Sequence, residues 1–376
     1  MLSPRRARLL RLLLLGFSLL VAVLFAELAV RLVRPQAVMT VSRGLYQPDP
    51  PRRYRIAPGF RGSISNQVEF DTEVSTNSLG LRGPEVGPKR GLRILALGDS
   101  FTFGVGARQE ETWPARLAEI LGAEVLNAGA PGFGVPDAVA WYERYGAQLD
   151  PDVVVLTVFL ANDLQDASPD QPKVAVVDGA LVVPGETGGL RRWLYYHSHL
   201  FRLFKSSVLE GGLRTRLGLR EPWAVRELRS EFAMYSPNLP EELQRGAEAT
   251  EQAVARLAGR KVLAVLVPSL PQVDPAKWQA VLAQLGLDPA QHDPLRPNRL
   301  FRGIFERHGV AVLDLTGIFR KAGKRIYYPI DQHLTPEGYE LMAGAVGLGL
   351  KTPGRRRPGT APAREPSLPR PSPQES

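Results

Sequence analysis

Ser100 lies in the stretch Arg93-Ile-Leu-Ala-Leu-Gly-Asp-Ser-Phe-Thr-Phe-Gly104, where the apolar run Ile94 to Leu97 breaks into a Gly-Asp-Ser turn. A helical pattern follows from about Glu111 to Leu121. A serine at the C-terminal end of a buried strand stands where open α/β sheets place reactive groups. Far downstream, Tyr328-Pro-Ile-Asp-Gln-His-Leu-Thr-Pro-Glu-Gly338 sets Asp331 two residues before His333, and Thr335-Pro-Glu-Gly338 is a helix-start signal. A hydroxyl is a weak nucleophile until a base takes its proton, and the base needs an acceptor to fix its tautomer. Ser100 is thus read as attacking an ester carbonyl, His333 as taking the proton and returning it to the leaving alcohol, and Asp331 as orienting His333. The plainer reading makes Ser100 or Asp99 a helix cap, and Asn162 and Asp163 turn residues.

These residues need a scaffold. Apolar runs at 93–97, 124–126, 153–159, 262–267 and 311–315 alternate with helical patterns near 111–121, 135–147, 241–258, 298–308 and 336–348. That order predicts a three-layer α/β/α doubly wound, mostly parallel sheet, with its site along the C-terminal strand edges. An insertion at 164–240 interrupts the rhythm. Within it Val174 to Val183 reads as a hairpin, because Asp178-Gly179 suits a type I′ turn. Leu190 to Val208 reads as a basic amphipathic helix that packs on its own domain, lies on a membrane surface or covers a cleft. His197 and His199 fall on it at a spacing that does not share one face, so no metal site is read there.

The motifs resemble the SGNH/GDSL hydrolase family in order and spacing across roughly residues 91 to 350. Gly98-Asp-Ser100 corresponds to its first block, Asn127-Ala-Gly-Ala-Pro-Gly132 to its second, Leu160-Ala-Asn-Asp163 to its third and Asp331-Gln-His333 to its fourth. The resemblance implies an oxyanion hole formed by the backbone N–H groups of Ser100 and Gly129 and the Asn162 side chain, with no cofactor and no metal. Two departures stand out. Leu160 occupies the place of a family glycine, which would reshape the pocket near Asn162, and the usual Asp-x-x-His is one residue shorter here. Asn77-Ser-Leu-Gly-Leu-Arg-Gly-Pro84 is similar to a segment seen upstream of the serine in membrane-anchored relatives. Its Arg82 is read as a loop residue paired with a surface carboxylate or, alternatively, reaching an anionic substrate group.

Charge and hydropathy bound the remainder. The net charge of +9 divides into +5 over residues 1–34 and +4 over residues 351–376, leaving 35–350 neutral. The folded part has no basic footprint, so nucleic acid is not an expected partner. With no cysteine, the chain offers no disulfide, thiolate metal site or lipoprotein anchor. Arg5, Arg6, Arg8 and Arg11 precede Leu12 to Val30, nineteen residues with the single charge Glu27. That length spans roughly 28 Å, close to hydrocarbon thickness, and the arginines orient it with the rest of the chain outside. An uncleaved signal anchor is preferred to a cleaved signal peptide, since small-x-small sites are poor.

The domain reading is therefore a basic tip and transmembrane anchor at 1–34, an extended spacer with an edge strand (Val68 to Val74) at 35–90, the α/β domain at 91–350, and a disordered Pro/Arg-rich tail at 351–376. The function expected from the resemblance is a membrane-anchored extracytoplasmic serine esterase removing acyl groups, acetyl foremost, from an envelope glycan or lipid. The alternatives are an O-acyltransferase of an envelope polysaccharide fed by a membrane acyl-donor partner, and a catalytically silent glycan-binding module.

Overall fold

The computed structural model describes residues 4–50, 53–170, 174–182, 189–205 and 223–351, so the tail beyond Lys351 and the end of the 190–208 pattern lie outside the described residues. Helix α1 spans Pro4–Val33. It is long and apolar enough to cross a membrane, and Leu12, Leu15, Phe17, Leu19 and Phe25 are all exposed along it.

The stretch after α1 is not an extended spacer. It forms β1 (Thr40–Val41), β2 (Tyr46–Pro48), β3 (Tyr54–Ile56), β4 (Arg61–Ser65) and β5 (Asp71–Ser75), with β4 paired to both β1 and β5 and β2 paired to β3, all antiparallel. The strand expected at Val68 to Val74 begins at Asp71, because Asn66 Oδ1 accepts the N–H groups of Val68, Glu69 and Phe70 and turns the chain first. Leu45, Tyr46, Tyr54, Ile56, Phe60, Ile64 and Val74 are buried in the same core as Leu95 and Leu156 of the main sheet. Proline and arginine content read the segment as solvated; its aromatic residues decide otherwise, each stabilising by about 1.5–3 kcal/mol when buried.

Strands β6 (Arg93–Gly98), β7 (Glu124–Gly129), β8 (Val153–Phe159), β11 (Val262–Val267) and β12 (Ala311–Asp314) form the central sheet, ordered β12-β11-β8-β6-β7 and parallel throughout. The apolar runs of the three inner strands β6, β8 and β11 follow from burial on both faces. Ile94, Ala96, Val155 and Val265 pack against the helices α3 (Trp113–Leu121), Thr316–Ala322 and Pro336–Lys351. Leu95, Leu97, Leu156 and Ala264 face α4 (Val135–Trp141), Glu241–Ala255, Pro275–Leu285 and Arg296–Arg307. The chain leaves β6 toward β7 on one side and returns to β8 on the other. The crevice at that switch lies between the ends of β6 and β8, where Ser100 and Asn162 follow.

In the insertion, β9 (Ala175–Val177) and β10 (Ala180–Val182) form the expected hairpin, with Asp178 at φ +50° and Gly179 at φ +71°. The single helix expected from Leu190 is instead two, α6 (Leu190–His197) and α7 (His199–Phe204). Ser198 breaks it: its backbone is extended and its Oγ accepts the Phe201 N–H at 3.0 Å, an N-cap starting a new helix.

Candidate active site

At the end of β6 the backbone turns through Gly98, φ +147°, where a Cβ would run into the hydroxyls of Thr157 and Thr102, themselves hydrogen-bonded to each other. Only glycine fits that turn, which begins the short helix α2 (Ser100–Phe103). The two capping readings separate here. Asp99 Oδ1 accepts the Phe101 N–H at 2.9 Å and is the cap, which leaves the Ser100 hydroxyl for other work.

That hydroxyl lies 2.8 Å from His333 Nε2, and His333 Nδ1 lies 2.5 Å from Asp331 Oδ1. The short Asp-x-His spacing works because Gln332 adopts φ +68°, folding Asp331 back so that Oδ1 also accepts the His333 N–H at 3.3 Å. The loop is tied by Gln332 N–H to Tyr328 O at 3.0 Å and by Tyr328 N–H to His333 O at 2.9 Å. Phe101 packs against the imidazole at 5.0 Å between centroids and stacks on Phe159 at 4.1 Å.

A residue that sequence reasoning passed over holds this loop from outside. Glu69, at the turn before β5, accepts the Ile330 N–H through Oε1 at 2.8 Å and the Asp331 N–H through Oε2 at 2.9 Å. Asn66 Nδ2 donates to the same Oε2 at 2.8 Å. No local signal marked Glu69, since its partners in the relay loop lie more than 260 positions away. It is a positioning residue, and Glu69→Ala should lower kcat about tenfold with KM little changed, because misplacing a relay member penalises the transition state more than the ground state. Glu69→Gln, which keeps one acceptor, should recover part of the loss. A change confined to KM, or none, would show that the loop holds itself.

The cleft, of about 170 Å³, is lined by Ser100, Asn162, His333, Phe159, Phe232 and Tyr235 among others. Phe232 and Tyr235 come from the insertion and from no recognisable motif; they pack with Trp278 at 5.1 and 5.0 Å. Leu160 does not reshape the pocket: it is fully buried in the core, and its N–H donates to Val267 O at 2.9 Å.

The expected donor Gly129 also needs correction. Its N–H donates to Asn127 Oδ1 at 3.0 Å, inside the strand end. Along the same loop Ala130 N–H is used by Gly98 O, Phe133 N–H by Ala130 O and Gly134 N–H by Asp137 Oδ2, while Pro131 has none. Gly132, exposed and at φ +80°, is left as the loop N–H without a partner among the described residues. Ser100, at the start of α2, and the Asn162 side chain both line the cleft.

Arg82 meets neither expectation for it. It is fully buried, with Nη1 donating to Phe103 O at 2.9 Å and Gly104 O at 2.7 Å and Nη2 to Ala107 O at 2.6 Å. These carbonyls end α2 or follow it and have no further helical turn to satisfy them, so the guanidinium fixes the loop behind the nucleophile. Burial pushes it down to about 10, still charged at neutral pH.

Behind the cleft sit the carboxyls of Asp99, Asp163 and Asp166. Burial pushes Asp99 up to about 6, against the opposing pull of the Phe101 N–H and His333. Burial, then the neighbouring Asp99, pushes Asp166 up to about 7 and Asp163 well above the carboxylate range. Raised values mean that the folded state holds protons the unfolded chain has released above its ordinary value near 3.8. Their stabilisation is complete below that value and is lost as pH rises through about 6 and about 7. For Asp166 alone the loss is on the order of 4 kcal/mol. Asp166→Asn should flatten the fall in melting temperature between pH 4 and 7, as measured by thermal denaturation across that range. Parallel wild-type and variant curves would disprove it.

A parallel five-stranded sheet with a Ser-His-Asp relay at its switch point is the arrangement of the SGNH-hydrolase fold. The family model described as GDSL-like lipase/acylhydrolase matches residues 96–341, and the chain belongs to that family, whose members typically hydrolyse esters. Among solved structures it is similar to a lipase/acylhydrolase from Enterococcus faecalis, with 14% identity over 69% of this chain and 95% of that one at a TM-score of 0.38. An acetyl xylan esterase shows 15% identity over 69% of this chain and 100% of its own, TM-score 0.37. An acetyl-xylooligosaccharide esterase from Geobacillus shows 15% identity over 71% and 98%, TM-score 0.37. No curated protein matches the sequence.

Proposed function

We propose that this protein is a membrane-anchored, extracytoplasmic serine esterase that removes short acyl groups, acetyl foremost, from an envelope glycan or lipid. The observation that carries the reading is the continuous relay Ser100 Oγ, His333, Asp331 at 2.8 and 2.5 Å, opening on a cleft of about 170 Å³. Ser100 attacks the ester carbonyl as His333 takes its proton. The tetrahedral oxyanion is held by the N–H groups of Ser100 and Gly132 and by Asn162. His333 then protonates the leaving alcohol, and water repeats the sequence to free the acid. The aromatic walls Phe101, Phe159, Phe232 and Tyr235 leave room for a short acyl chain.

Transfer to a second alcohol in place of water is favoured by one feature: the insertion lays Phe232 and Tyr235 along the cleft, an apolar wall that shields an acyl-enzyme. The test is turnover of nitrophenyl esters of graded chain length by the detergent-solubilised full chain, with and without an acetylated oligosaccharide acceptor. Ser100-dependent hydrolysis that is fastest on acetyl supports the esterase. Acyl release that needs the acceptor turns the reading to a transferase. A folded chain with no Ser100-dependent acyl chemistry leaves the silent binding module.

A further inference from the structure

The anchor helix is not an independent tether. Near the end of α1, Glu27 turns its carboxylate onto the insertion: Oε1 accepts the His199 N–H at 2.9 Å, and Oε2 accepts the Leu200 N–H at 2.9 Å and the Ser198 hydroxyl at 2.7 Å. One turn later Arg31 bonds Glu27 Oε1 at 2.6 Å and donates to His197 O at 2.7 Å. Gln36 N–H, beyond the helix, donates to His199 Nδ1 at 2.8 Å. The break between α6 and α7 is thus clasped to one level of α1.

That level is informative. With Arg11 at the inner boundary, Glu27 to Arg31 lies roughly 24–30 Å along the helix axis, where the outer edge of the hydrocarbon falls. At this height α6 presents Leu190, 72% exposed, and Trp193, 56% exposed, one turn apart, with Trp193 stacked on His197 at 5.0 Å. Phe204 at the end of α7 is also exposed, and Arg191, Arg192 and Lys205 flank these side chains in sequence. An exposed aromatic and aliphatic stripe with arginine and lysine beside it matches the bilayer interface, where indole rings and long cationic side chains both find their preferred surroundings.

The same helices reach the active site through one turn. Gln67 Nε2 donates to Tyr196 O at 3.3 Å and its Oε1 accepts from Arg202 at 3.4 Å, while Glu69, two residues on, holds Ile330 and Asp331. Ile330, half exposed, lies in the loop that carries the relay. Anchor, interfacial helices and triad loop are therefore joined in series by hydrogen bonds.

We propose that α6 and α7 rest in the outer headgroup layer of the bilayer spanned by α1, and so hold the Ser100 cleft at the lipid surface, facing acyl esters presented by membrane lipids or lipid-apposed chains. This rests on the reading of α1 as a membrane span. The absence of native cysteine makes the test direct: single cysteines are introduced into the full chain at Leu20, Leu190, Trp193 and Ile120, the last an exposed position on α3, and labelled with bimane. The probe is phosphatidylcholine–phosphatidylglycerol vesicles carrying nitroxide lipids at shallow or deep acyl positions. Strong deep quenching at Leu20, with shallow quenching at Leu190 and Trp193 severalfold above Ile120, is the expected result. Quenching at Leu20 with Leu190 and Trp193 no different from Ile120 overturns the interfacial placement and leaves the anchor standing. No quenching at Leu20 overturns both. Glu27→Leu, which keeps α1 apolar and releases the clasp, should lower shallow quenching at Trp193 while Leu20 is unchanged; an unaltered Trp193 signal would remove Glu27 from the assignment.

Discussion

Ser100→Ala is expected to lower ester turnover by about 10⁴-fold or more, His333→Ala by a similar factor, and the double variant by little beyond either. The reason lies in the 2.8 Å contact between the hydroxyl and Nε2. The serine is nucleophilic only as its proton leaves, and the imidazole has no other proton to take, so either loss disables one shared step. Neither side chain supports the fold. Asp99, not Ser100, caps α2, and His333 is anchored by its backbone to Tyr328. Both variants should melt near the wild-type temperature. Turnover that survives Ser100→Ala within about tenfold would place the chemistry elsewhere.

Asn162→Ala should reduce kcat by about 10²–10³-fold, the equivalent of one oxyanion donor at about 2.7–4 kcal/mol, with KM nearly unchanged. The amide donor matters only once negative charge develops on the carbonyl oxygen, so it contributes little to ground-state binding. Stability should not fall with it, because Asn162 Oδ1 is buried without a partner and its removal leaves no new group unpaired. Steady-state kinetics and a melting curve on the same preparation decide the matter. A rise in KM at constant kcat would make Asn162 a substrate-binding residue instead. The Gly132 N–H, proposed as a further donor, belongs to the backbone and is beyond reach of side-chain deletion.

The nucleophile was legible in the sequence because its motif stands at a strand end, and strand ends are marked locally; Asp331 and His333 were legible instead from the helix-start signal that follows them. The runs Ile94 to Leu97 and Val153 to Phe159 are apolar since both faces of a parallel sheet are covered, and they become β6 and β8 within a residue or so. The Asp178-Gly179 turn was equally local, two residues whose backbone preference fixes the hairpin. What the tertiary structure alone decided are contacts between segments remote in sequence. Glu69 meets Ile330 and Asp331, Glu27 meets Ser198 to Leu200, and Arg82 meets the carbonyls after α2. The residues 35–90 read as spacer for the same reason. Their prolines speak locally, while Tyr54 and Phe60 find their partners only when the main sheet is present. Even within a motif, the commitment of the Gly129 N–H to Asn127 Oδ1 belongs to the folded chain and has no local mark in the sequence. Residue type and spacing determined which chemistry is available; long-range packing determined which backbone groups remain free to perform it and how the cleft is held.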